Sequence, residues 1–201
     1  MPLTVVEAYG EAQAKLAGID MAAAGRRLDL PVSEGRLGIP FFGESHEVGQ
    51  RGCMDPAGEE ASPAVGLVLC QYVLRFPRQI PLPGRRVSFR EFEGAGPLMV
   101  SFANNTHKTI CSTYGRNLSA LQSAARRLGG VEAEEKHNFD LFLRFPALPH
   151  LPVFLQFNAS DENFPSTASL RFQQSAQTYL NLQALFILGT YFTGRLIGSA
   201  R

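Results

Sequence analysis

Apolar residues recur along this chain at two periods, and each period predicts its own set of elements. Leu3, Val6, Ala8 and the run from Ala12 to Leu16, with Glu7 and Glu11 between them, predict a first helix ending near Gly18. A shorter alanine-rich helix is expected after Asp20. Val65, Val68, Leu69, Tyr72, Val73 and Phe76 repeat at helical spacing behind Ser62, an N-cap, and Pro63, which suits a first turn; Pro77 stops the helix. That stripe must be buried, and Cys70 at its margin reads as a small core residue rather than a reactive thiol. Leu118, Leu121, Ala125 and Leu128 share one face of a helix from about Asn117, with Arg126 and Arg127 at the negative end of its dipole and Gly129 and Gly130 closing it. The last helix begins near Asn181 and is apolar on nearly all sides as far as Ile197, so it lies deep in the core or beneath a second subunit.

The second period is two. Val87 and Phe89 alternate with Ser88 and Arg90; Leu98, Val100 and Phe102 repeat the pattern, and Gly94 and Gly96 between them invite a hairpin. Phe139 to Phe145 and Val153 to Phe157 predict two longer strands, the first with Phe139, Leu141, Leu143 and Phe145 on one face and Asp140, Phe142 and Arg144 on the other. Asn158 to Thr167 is a turn before a short strand at Leu170 and Phe172. Between Leu28 and Gly58, where glycine and proline are frequent, only brief extended pieces are expected, at Leu37 to Phe42 and His46 to Gly49. Strands joined by short turns, with helices outside the strand runs, predict an α+β fold: a mainly antiparallel sheet covered by helices, residues 1–201 forming a single domain.

Composition narrows the classes. Hydrophobic residues make up 45% and charged residues 18% of the 201, the balance of a packed globule. A formal charge of +1 is too small to recruit a phosphate backbone, which argues against nucleic-acid binding. The most apolar stretch, Leu182 to Ile197, falls short of the roughly 20 residues a bilayer requires and carries Gln183 and Arg195, so no membrane association is expected. Cys53, Cys70 and Cys111 are too few and too scattered for a disulfide framework, and no cleavable leader pattern opens the chain; a reducing, cytoplasmic setting is expected.

Candidate chemistry is sparse. Asp161-Glu162-Asn163-Phe164-Pro165 is the densest polar group after a strand. Asp161 and Glu162 could act as acid and base or hold a cation; equally, Asp161 caps the turn, Glu162 is solvated, and Phe164 with Pro165 anchors the loop in the core. Asp140 and Arg144 share a strand face, by default as an ion pair. Arg90 and Glu91 point to opposite sides of their strand, so one faces the core, and a buried arginine would need a partner. His46, His107, His137 and His150 lack metal-ligand spacing, although His46 could meet Cys53 across a turn, and no metal site is expected. Asn104 to Lys108 would open a short helix ending near Gly115, an anion site or simply a cap. No nucleophile elbow, Walker loop or dinucleotide fingerprint occurs.

Val87-Ser88-Phe89-Arg90-Glu91-Phe92, Leu128-Gly129-Gly130, Asp140 ahead of Phe145-Pro146, and the Asp161 to Pro165 turn before Phe172 resemble the prokaryotic domain-of-unknown-function family 3786, from about Leu3 to Ile197. Two departures are the absence of a tryptophan near Phe157 and a different spacing of the acidic turn. Some relatives carry an iron–sulfur segment, and the resemblance implies anaerobic metabolism near corrinoid or one-carbon proteins. This chain lacks those cysteines, its cofactor is unassigned, and a shared fold supplies no mechanism. The leading expectation is a non-catalytic module that binds a small molecule or a partner protein through the face bearing Arg90, Asp140 and the Asp161 turn. The alternatives are an enzyme with Asp161 or Glu162 as base and Arg90 as anion clamp, and a homodimer built on the last helix.

Overall fold

The computed structural model describes residues 3–135 and 138–199; His137 lies outside them. Local punctuation sets the helices in the first half. Thr4 and Glu7 form a reciprocal capping box at the start of α1, Val5–Leu16. Asp20 accepts from the amides of Ala22 and Ala23 to begin α2, Met21–Leu28. Ser62 caps α3, Pro63–Arg75, with Pro63 in its first turn. Helix α1 lies on α3. The contact is close because Gly66 has no side chain: a Cβ there would stand 2.5 Å from the Tyr9 ring.

Between α2 and α3 the chain forms a complete four-stranded antiparallel meander, which extends the two expected pieces at both edges. Its strands are β1 (Val32–Ser33), β2 (Arg36–Phe41), β3 (Glu44–Gly49) and β4 (Gly52–Met54). The β2–β3 hairpin turns on Phe42 and Gly43, both with positive φ (49° and 81°). For a phenylalanine that conformation is strained, and its surroundings hold it. The Phe42 amide donates to the Ala147 carbonyl of the second sheet (2.9 Å), while its ring packs against Tyr191 and Phe192.

The second sheet is antiparallel throughout, in the order β5-β9-β8-β7-β6. Its strands are β5 (Arg86–Ser88), β6 (Val131–Glu132), β7 (Leu141–Leu148), β8 (Leu151–Asn158) and β9 (Thr167–Gln173). Register places Leu141, Leu143 and Phe145 opposite Phe157, Leu155 and Val153 on the inner face, as the alternation requires. Phe139 departs from that expectation. It precedes the strand and joins Phe142, Phe154 and Ala133 in a small second cluster on the outer face, where the Arg86 guanidinium stacks over Phe154 (4.4 Å) and Phe142 (5.0 Å) and pairs with Glu135.

The remaining helices are α4 (Met99–Ala103), α5 (Thr109–Tyr114), α6 (Leu118–Arg127), α7 (Ala176–Tyr179) and α8 (Leu182–Gly198). The strand and hairpin expected at Leu98 to Phe102 are absent: α4 runs through a π-helical turn, Asn104–Lys108, directly into α5. Asn104 therefore lies mid-helix and caps nothing. The period-two pattern misleads because Val100 is 66% exposed, and the buried positions are Phe102, Thr106, Ile110 and Tyr114. Spacings of four drift about 40° per step in a 3.6-residue helix; the wider π turn absorbs that drift and keeps all four side chains inward.

Helix α8 is enclosed by α3 to α7 and the π turn. Most of its apolar residues are buried within the chain, while Leu182, Phe186, Tyr191 and Ile197 are half-buried against the same core. Gly189 admits Phe102, whose ring would lie 2.5 Å from an added Cβ, and Phe192 meets Phe145 edge-on at 4.6 Å. Arg195 on α8 makes two 2.7 Å hydrogen bonds to Glu44 of the first sheet. One hydrophobic cluster runs through both sheets and the helices between them. Among the described residues no helix is long and apolar enough to cross a membrane.

Candidate functional site

Two clefts flank β9; Arg90 lines one, and Asp161 and Glu162 line the other. The first arises where β5 stops. Ser88 ends β5 because its amide and hydroxyl both donate to the Glu91 carboxylate (2.6 and 2.8 Å), which winds Phe89–Glu91 into a 3-10 turn. Arg90 and Glu91 therefore do not alternate across a strand: Phe89 turns inward, and Arg90 is exposed on the rim.

Because β5 pairs with β9 only from Gln173 to Arg171, the edge of β9 before Arg171 has no strand beside it. An unpaired edge amide is costly unless covered, and the π turn supplies the cover. The Leu170 amide donates to His107 Nε2 at 3.0 Å. That bond defines the tautomer: Nε2 accepts, so the neutral ring carries its proton on Nδ1. Nδ1 has no hydrogen-bond partner among the described residues, and no described buried side-chain nitrogen or oxygen lacks one, so Nδ1 is open to solvent. Burial, with the Arg171 charge in second place, holds the His107 pKa below its ordinary value of 6.5.

The resulting cleft has a volume of about 410 Å³. Phe89 and Phe102, stacked at 4.1 Å, form its bottom, and Met99 and Ala103 form one wall. Its polar lining consists of Arg90, Arg171, His107 and the Ser88 and Ser169 hydroxyls. Arg171 donates Nε to Gln156 (3.0 Å) and lies 3.7 Å from Glu91, which leaves part of its fork of donors free. Glu91 is a fixed anion, its pKa pulled down to about 2 by the Ser88 amide first, then by Arg85 and the Ser88 hydroxyl. Arg90 has neither a hydrogen-bond nor an ion-pair partner among the described residues.

The second cleft, about 560 Å³, separates the acidic turn from the start of α6. Its turn and cap groups are consumed by the backbone, while Arg116 and Glu162 are exposed without a hydrogen-bond or ion-pair partner among the described residues. Asp161 Oδ1 accepts from the amides of Asn163 and Phe164, both at 2.7 Å, and its own amide donates to the Phe164 carbonyl. Asn117 caps α6 through the Ala120 amide. Glu162 is exposed, and Phe164, expected in the core, is 69% exposed at the tip. The turn needs no hydrophobic anchor because Asp161 holds its backbone.

Asp140 lines neither cleft. Its carboxylate accepts from the Ala159 amide (2.7 Å) while its amide donates to Asn158, clasping the ends of β7 and β8; no ion pair joins it to Arg144. The face expected to unite Arg90, Asp140 and the Asp161 turn is thus split. Arg171 and His107 complete the first cleft. Arg171 had a sequence signal, since it alternates with the core residues Leu170 and Phe172, and His107 stood only within the Asn104 to Lys108 segment weighed as an anion site, its place beside Leu170 depending on the π turn.

Among the described residues no group of three or more His, Cys, Asp or Glu side chains is placed to hold a metal ion. His46 is buried against Phe41, and the Cys53 sulfur faces Cys70 at 3.6 Å and not His46. Both thiols are free and fully enclosed, and Cys70 has its pKa pushed up by the Cys53 contact and by burial.

No match was found among curated proteins or among solved structures. Residues 20–195 match the family described as Domain of unknown function (DUF3786), a span that contains both sheets and both clefts. The chain belongs to that family.

Proposed function

We propose that this chain is a non-catalytic binding module for a small molecule, and that its ligand seat is the cleft between the β9 edge and the α4–α5 helix. One observation carries the reading: Arg90 has no partner within the described chain, yet it shares an apolar-floored cleft with Arg171 and an available His107 N–H. Concave sites with apolar walls and a few convergent polar groups are the usual form of ligand pockets. The first cleft has that form, which favours a small molecule over a flat protein partner. An enzyme using Asp161 or Glu162 as base with Arg90 as clamp requires the base and the clamp to share one cleft, and they line different ones. A cytoplasmic setting and a place in prokaryotic anaerobic metabolism belong to this reading through the family resemblance and the free thiols.

The test is a thermal-shift screen of the purified chain against a metabolite and corrinoid panel, with mass spectrometry of any retained molecule. At least one compound is expected to raise the melting temperature of the native chain and to lose that effect in an Arg90→Gln, Arg171→Gln double variant. Neither a shift nor a retained molecule, or a shift indifferent to both arginines, removes the proposal.

A further inference from the structure

We infer that the ligand of this cleft is an organic monocarboxylate with a compact apolar body, its carboxylate held by Arg90 and Arg171 and its body laid toward Phe102 and Met99. The inference rests on the reading of the cleft as a ligand seat and adds the chemical class.

Three features lead to that class. First, the charged lining of the cleft is entirely cationic. Two guanidinium groups offer forked N–H pairs that match the planar geometry of a carboxylate, and the neutral His107 Nδ1–H adds a single donor fixed by the Leu170 bond. Second, the rest of the lining has nothing for a second charged group: Phe89, Phe102, Met99 and Ala103 are apolar, and Ser88 and Ser169 bring only neutral hydroxyls. Inorganic phosphate would press charged oxygens against those carbons, and burying unpaired charge there is costly. A carboxylate on an apolar body puts charge only where the donors are. Third, Glu91 remains ionised beside Arg171 at 3.7 Å and takes up part of its field. This disfavours a ligand that brings a second negative charge, while Arg90 and Arg171 together still outweigh Glu91 and so disfavour a cationic group.

The fold provides a reporter for the test. The Leu170 amide sits at the cleft through its bond to His107, so its NMR resonance responds to occupancy. Four probes separate the possibilities: 3-phenylpropionate, its primary amide, phenyl phosphate and inorganic phosphate. The carboxylate is expected to shift Leu170 saturably and the amide and inorganic phosphate to leave it in place. Arg90→Gln and Arg171→Gln are each expected to weaken the carboxylate by about ten- to a hundredfold, the range for losing a hydrogen bond to a charged group. Arg90 is exposed and Arg171 half-buried, so both variants should fold, which the unchanged remainder of the amide spectrum would verify. Tighter binding of phenyl phosphate overturns the carboxylate class and leaves the seat intact. A carboxylate that binds without moving Leu170, or equally well to both variants, overturns the seat along with the class. A panel that produces no shift at all overturns the class, and the broader metabolite screen then decides the seat separately.

Discussion

The acidic turn at Asp161 and the arginine cleft at Arg90 both flank β9, and both are rich in charge for their size, but they use that charge in opposite ways. In the turn, Asp161 accepts two backbone amides at 2.7 Å and Asn117 is spent on the cap of α6. In the cleft, Arg90 has no partner among the described residues, Arg171 keeps free donors and His107 presents an N–H outward. The hydrophobic residues are reversed as well: the turn lifts Phe164 into solvent, while the cleft rests on Phe89 and Phe102, which are almost wholly buried. Polar density along a sequence therefore does not identify a binding site. Donors left over after the backbone has been satisfied, set over a rigid floor, are the more discriminating sign.

The largest expected difference between the two regions is in their aromatic residues. Phe102 is 1% exposed, stacked on Phe89 and fitted against Gly189, so Phe102→Ala is expected to lower the unfolding free energy by about 3–5 kcal/mol. Phe164→Ala, at the exposed tip of the turn, is expected to stay within about 0.5 kcal/mol. Urea denaturation of the two variants checks both values, and similar losses would mean that the turn is anchored after all.

The polar side of the turn should behave in the opposite sense. Asp161→Ala removes the acceptor of two short amide bonds, and an exposed cap of this kind contributes about 1 kcal/mol. Asp161→Asn keeps a side-chain oxygen and is expected to recover most of that loss. If the alanine variant matches the native chain in denaturant, Asp161 is not holding the turn, and its carboxylate returns as a candidate for chemistry.

The two regions also differ in how much of them the sequence reveals. The helix at Ser62 was legible from its cap, a contact between near neighbours, and those starting at Asn117 and Asn181 from the onset of helical apolar spacing. The faces of β7 from Leu141 to Phe145 were legible because strand alternation needs no knowledge of the partner strand. Leu98, Val100 and Phe102 misled because three alternating apolar residues fit a strand, whereas the stripe that is buried passes through a polar position, Thr106, and needs a π turn to stay in line. The first sheet showed only its two longer strands, since β1 and β4 are two and three residues long. Asp161 was legible as a cap and Arg90 as a residue worth attention. That Arg90 stands beside Arg171 and His107 follows from where β5 stops, a tertiary fact that no local pattern encodes.

The third contrast appears when pH is varied. The folded chain holds His107 below its ordinary pKa of 6.5, through burial and Arg171, with Arg90 in the same cleft, Lys108 adjacent on the same turn and Glu91 paired to Arg171 at 3.7 Å. Protonation would turn Nε2 into a donor facing the Leu170 amide. The unfolded chain therefore binds this proton at a higher pH than the folded chain does, and stability rises with pH through the interval between the two values. The contribution of His107 is complete above about pH 6.5 and is lost progressively as pH falls through the lowered value. His107→Gln keeps an acceptor for Leu170 without titrating, so the gap between native and variant stability should change over that interval and be flat above it. A constant gap would mean that the ring is not held neutral, and the fixed N–H donor of the cleft would go with it.

The smallest expected effect is the most pointed. Arg90→Ala should change the unfolding free energy by no more than about 0.5 kcal/mol, because the side chain is exposed and makes no hydrogen bond or ion pair among the described residues. Arg171→Ala should cost more, since it releases Gln156 and loosens Glu91. A guanidinium that contributes nothing to folding, on the rim of a cleft whose other polar groups are already positioned, is available for something outside the chain. If Arg90→Ala instead costs more than Asp161→Ala in the same denaturant series, then Arg90 has a structural partner of its own, and the distinction between a consumed turn and an open cleft disappears.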